Sequence, residues 1–180
     1  MPGTALNLPA VTAEDEKLLE ATVSFASLVE VSFVRTAQDM RDAVAMVRRV
    51  EQRSGRNVGI VVKLETLESM QNLPDILLEL MKHERVGVMV ARGDMAAELG
   101  IMHMVEAPRY VVNLCQAAQL PVIIGSNILE TLTDAGQPTR AEVTDAAWAQ
   151  QAECVMLNHG KHMVETVEAV GALLLSLIHI

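Results

Sequence analysis

Five short apolar runs recur along the chain, at residues 28–34, 58–64, 86–91, 121–126 and 154–157, and helix-like stretches fill the intervals. Most of these runs are apolar without a polar alternation, as strands covered on both faces must be. The intervals repeat apolar residues at helical spacing instead. After Thr36, the side chains of Met40, Ala43, Val44, Val47 and Val50 share one face, and Gly55 offers a left-handed stop. Thr12 precedes an acidic turn of Glu14, Asp15 and Glu16, which suits the positive end of a helix. Pro74 fits a first turn ahead of Ile76, Leu77 and Leu80, and Thr139 with Glu142 has the spacing of a capping box before Val143, Ala146 and Ala147. The tail from Ala169 to Ile180 is too short for the roughly 20 residues of a membrane span and is expected to be a last packed helix.

Strand and helix signals that alternate in this way predict βα units on a parallel sheet. The ten glycines never form G-x-G-x-x-G, and no phosphate-binding G-x-x-x-x-G-K-[ST] occurs, so dinucleotide folds and P-loop kinases lose ground to a β/α barrel. A complete barrel has eight units in about 250 residues. Five units therefore predict an α/β fold of partial (β/α)8 TIM-barrel type, with residues 1–180 forming one domain. Five strands cannot close a barrel, so the first and last are expected to expose edges that favour homo-oligomers or self-association.

Composition narrows the partners. The formal charge is -9, and Phe25, Phe33, Tyr110 and Trp148 are the whole aromatic complement, which argues against a nucleic-acid surface. Cys115 and Cys154 form no C-x-x-C pair, and Met1 is followed by no basic stretch and apolar run. A reducing cytoplasm without membrane attachment is the expected setting.

Chemistry is sought where strands end, because barrel sites are built from those junctions. Lys63 and Glu65 close the second run two residues apart, hence on one side of the pleat. The third run ends in Arg92, Gly93 and Asp94. Glu65 and Asp94 leave neighbouring strands at the same edge, and carboxylate oxygens with open positions favour Mg²⁺ or Mn²⁺ over zinc. Lys63 would aim a cation at the same place. The plainer reading is a solvated rim salt bridge beside a turn. Elsewhere, His159 and His162 lack a third ligand, His83 and His103 read as surface positions, and the methionines read as core.

The segments Val62-Lys63-Leu64-Glu65, Gly87 to Asp94 and Pro138 to Asp145 closely resemble signature segments of pyruvate kinase. Asn7 to Thr12, Ser32 to Arg35 and Cys154 to Leu157 resemble further segments in the same order. The resemblance implies phosphoryl transfer between phosphoenolpyruvate and ADP, giving pyruvate and ATP in glycolysis, with Mg²⁺ and usually K⁺. It implies Lys63 facing the phosphoryl group and enolate, Glu65 and Asp94 on the metal, and the Arg92, Gly93 and Asp94 segment on the substrate. It also implies a substrate and proton-transfer role for Ser126. Two departures stand out. Gly125-Ser126-Asn127 replaces the usual Ala-Thr-Gln, and Asn158-His159-Gly160-Lys161 replaces Ser-Gly-Glu-Thr, as in a divergent bacterial group of pyruvate kinase-like proteins. The matching segments correspond to strands four to eight, with no counterpart for the lid or regulatory domain, so little activity is expected of the chain alone. A Mg²⁺-dependent lyase or aldolase acting on a pyruvate enolate, and a non-catalytic partner-binding remnant, are the alternatives.

Overall fold

Alternation within the strands splits the central sheet into two chemically different faces. In the computed structural model, which describes residues 8–176, the order is α1 (Ala13–Thr22), β1 (Leu28–Val31), α2 (Ala37–Ser54), β2 (Gly59–Leu64), α3 (Leu67–Gln71), α4 (Leu73–Leu80), β3 (Val86–Ala91) and α5 (Arg92–Leu99). It continues through α6 (Glu106–Ala117), β4 (Val122–Gly125), α7 (Glu130–Ala135), α8 (Arg140–Trp148), β5 (Cys154–Val155) and α9 (Met163–Ser176). The expectations for the first seven residues, and for the last four of the terminal helix, lie outside the described residues.

All four strand pairings are parallel and the sheet order is β1-β2-β3-β4-β5. Sequential parallel strands joined by right-handed crossovers put their helices on one face, which is the winding of a barrel rather than of a doubly wound sheet. Ile60, Val62 and Leu64 of β2, Val88 and Val90 of β3, and Val122 and Ile124 of β4 accordingly join one core with residues of α2, α4 and α6. The opposite face carries Val61, Lys63, Met89, Ala91 and Gly125, and it would line a barrel interior. Gly125 leaves room there: a Cβ at that position would lie 2.6 Å from the Met89 methyl carbon and 3.1 Å from that of Met156.

The helix ends follow the local signals. Thr12, Thr36 and Thr139 each cap a helix, and their backbone amides donate in return to the carboxylates of Asp15, Asp39 and Glu142. Gly55 ends α2 at φ 67°, where a residue with a Cβ would be strained. α2 buries Met40, Ala43, Val44, Met46, Val47 and Val50 in the core that it shares with the sheet, and it packs on both α4 and α1.

The strands are shorter than their apolar runs. β1 stops at Val31 because Phe33 turns into the left-handed region (φ 57°) and gives its amide to a side chain rather than to the ladder. Pro121 has no N–H to donate, so β4 begins after it, although the Pro121 carbonyl accepts from Val88 at 2.9 Å. One expectation is overturned. His83 is buried, not a surface residue: its Nε2 lies 2.8 Å from the Val58 carbonyl oxygen, and Glu51 is 3.8 Å away. The Val58 carbonyl at the entrance to β2 supplies the partner that makes this burial tolerable.

Candidate functional site

At the carboxyl ends of β2 and β3, two carboxylates converge on one ammonium. Lys63 is the penultimate residue of β2, and its inward parity carries it to Glu65 Oε2 at 2.6 Å and Asp94 Oδ2 at 2.8 Å. Glu65 follows the last residue of β2 and is 2% exposed, held there by a second bond in which the Phe33 amide donates to Oε1 at 2.7 Å. Asp94 sits in the first turn of α5 with its side chain 58% exposed. The plainer reading of a rim salt bridge thus describes Asp94 but not Glu65. Desolvation works against the Lys63 ammonium, yet the hydrogen bonds to Asp94 and Glu65 outweigh it and hold Lys63 above the ordinary lysine value.

Arg92, Gly93 and Asp94 are the opening turn of a helix rather than a loop. α5 starts straight from β3, and Ala91 gives it no side-chain cap, so its first amides keep their positive polarity for a ligand. Gly93 faces the turn after β4: a Cβ there would lie 3.0 Å from Ser126 Oγ and 3.2 Å from Asn127 Oδ1. A larger residue would require those two side-chain ends to give by a few tenths of an ångström. Ser126 donates to Asn127 Oδ1 at 2.7 Å, and Asn127 donates in turn to Glu130 at 2.5 Å.

The Arg92 side chain is turned elsewhere. It donates to the Ser126 carbonyl at 3.0 Å, to the Asn127 carbonyl at 3.4 Å and to Asp145 at 2.6 Å, tying the β4 turn to α8. Beyond it lies a cleft of about 860 Å³ lined by Pro108, Arg109, Arg140 and Trp148, which contains none of Lys63, Glu65 and Asp94. Arg92 therefore positions the Ser126 turn from behind. Asp145, its partner, belongs to the Pro138–Asp145 segment, where the spacing gives no hint of this contact.

The donor set suits a small divalent cation. Two carboxylates already share one cationic centre, and Mg²⁺ binds through one or two carboxylates, leaving its other positions to water and substrate oxygens. Among the described residues no three His, Cys, Asp or Glu side chains form a fuller cage. His159 is exposed, and His162 pairs at 3.7 Å with Glu165 at the start of α9. No helix among the described residues is long and apolar enough to cross a membrane. The sequence pattern does not single out Glu30, although a lone acid inside an apolar run is a legible signal.

The model of the pyruvate kinase barrel domain matches residues 1–167. Pyruvate kinase of Leishmania mexicana is 35% identical over 182 residues, covering 97% of this chain and 35% of that protein. Pyruvate kinase of Kluyveromyces lactis is 37% identical over 161 residues, covering 88% of this chain and 30% of its own length. Pyruvate kinase 1 of Trypanosoma brucei brucei is 35% identical over 175 residues, covering 93% and 33%. The chain spans about a third of the length of these relatives.

Proposed function

This chain belongs to the pyruvate kinase family, and from that premise we propose that it forms the carboxy-terminal part of a barrel domain that moves a phosphoryl group between phosphoenolpyruvate and ADP. The bond between phosphorus and the enolate oxygen breaks, a bond to the terminal phosphate oxygen of ADP forms, and the enolate carbon takes a proton to give pyruvate. The observation that carries the reading is the convergence of Glu65 and Asp94 on a single cation beside an uncapped helix start.

Glu65 and Asp94 would hold Mg²⁺ or Mn²⁺, whose charge neutralises phosphoryl and enolate oxygens when it is bound. Lys63 faces the same oxygens and offsets the charge that develops on them. The first amides of α5, around Gly93 and Asp94, receive the substrate carboxylate. Ser126, held close to Gly93 through the Arg92 clamp, would supply the hydroxyl for the proton that the enolate carbon gains. K⁺ would act outside these residues.

Titration calorimetry with Mn²⁺ tests the site directly. Asp94→Asn should lower the affinity by about tenfold or more, the equivalent of about 1.4 kcal/mol. Equal affinity in both proteins would remove Asp94 from the site. Pyruvate release that needs ADP would separate phosphoryl transfer from a lyase, which needs none.

A further inference from the structure

Lys63 has three N–H donors and spends two of them on Glu65 and Asp94, the carboxylates that would hold a divalent cation. Cation and ammonium would share those carboxylates and repel each other, so loading the site favours a further partner for the ammonium. The sheet offers one carboxylate as a destination. Glu30 stands opposite Val61 in the β1–β2 register, and Lys63 lies two residues further along β2, so both side chains leave the same inner face. The diagonal between such positions is roughly 7–8 Å, within reach of two long side chains. Val29 and Val31, on either side of Glu30, pack toward the helices. Among the described strands, the other inner-face positions near Lys63 are Val61, Met89, Ala91 and Gly125, none of which accepts a proton through its side chain.

We propose that Glu30 is a positioning residue for Lys63: it receives the ammonium when a divalent cation takes Glu65 and Asp94 before substrate oxygens are there to accept it, and so lowers the cost of loading the site. The inference rests on the metal site proposed above. Charge balance supports it. With the ion in place, the carboxylates Glu30, Glu65 and Asp94 face one ammonium and one divalent cation, three charges of each sign. Without Glu30 the site would keep an excess positive charge. The Glu30 carboxyl is also in electrical contact with both partners. Desolvation by the sheet holds it above the usual carboxylate range, Lys63 pulls it down and Glu65 pushes it up.

A double-mutant cycle read by Mn²⁺ calorimetry at fixed ionic strength tests this, using wild type, Glu30→Gln, Lys63→Met and the double variant. Circular dichroism confirms that each is folded, and Glu30→Ala replaces any Gln variant that is not. Lys63→Met should bind Mn²⁺ more tightly, because the competing ammonium is gone. Glu30→Gln should bind about three- to tenfold more weakly, and that loss should shrink to less than about twofold when Lys63 is already methionine. An equal loss in both backgrounds would mean that Glu30 acts as a distant charge and not through Lys63, which overturns the proposal. So would an unchanged affinity in Glu30→Gln, or no tightening in Lys63→Met. A wild-type protein that binds no Mn²⁺ would instead sink the metal site itself, an outcome visible before any variant is compared.

Discussion

Replacing Lys63 by methionine keeps the aliphatic stem and removes the one positive charge that Glu65 and Asp94 share. Asp94 is more than half exposed and is rehydrated at little cost. Glu65 is not: at 2% exposure it would keep only the Phe33 amide at 2.7 Å. Stripping the partner from a buried charge costs about 3–5 kcal/mol in general. A ceiling applies, because a carboxylate can escape by taking up a proton. For glutamate at pH 7 that costs about 3.7 kcal/mol, or ~2.7 units from its ordinary value at ~1.36 kcal/mol each. The Lys63 side chain is 21% exposed, so water partly replaces it and the expected loss falls below that ceiling. A loss of about 2–3 kcal/mol corresponds to a melting temperature lower by roughly 5–10 °C in a domain of this size. Saturating Mn²⁺ should recover about 2.7 kcal/mol at a hundredfold excess over its dissociation constant. Melting followed by circular dichroism at pH 7, with and without Mn²⁺, measures all of this. A variant that melts within about 1 °C of wild type at pH 7 would show that Glu65 does not depend on Lys63, and the reasoning would fail.

Two further outcomes are expected. Hydrogen bonds from Arg49 and Arg53 hold the Glu16 carboxyl down at about 2, against an ordinary 4.5, so the clamp between α1 and α2 contributes stability above pH 4.5 and loses it as the pH falls toward 2. Urea unfolding should show Glu16→Gln less stable than wild type at neutral pH and the two converging in acid; a gap that stays constant down to pH 2 would contradict this. Burial pushes the Cys115 thiol up to about 12, whereas Cys154 is exposed, so a thiol reagent should label one of the two cysteines in the folded protein. Rapid labelling of Cys115 would contradict its burial.

Much of this architecture was readable from short-range pattern. Apolar runs placed the five strands, the Met40–Val50 stripe placed α2, and threonine caps and Gly55 placed helix ends, because these signals act within three or four residues. Lys63, Glu65 and Asp94 could be picked out because strand ends in a β/α fold open on one edge, whereas Ser126 came only with the family resemblance. Contacts between units were another matter. Nothing local says that Phe33 ends its strand to bond Glu65, 32 residues away, that the Val58 carbonyl buries His83, or that Arg92 turns from the site to Asp145, 53 residues on. The pairing of Lys63 with both carboxylates, and the place of Glu30 beneath it, depend on the register between β1, β2 and β3. Register comes from packing a whole sheet face against its helices, so it becomes definite only when distant segments meet.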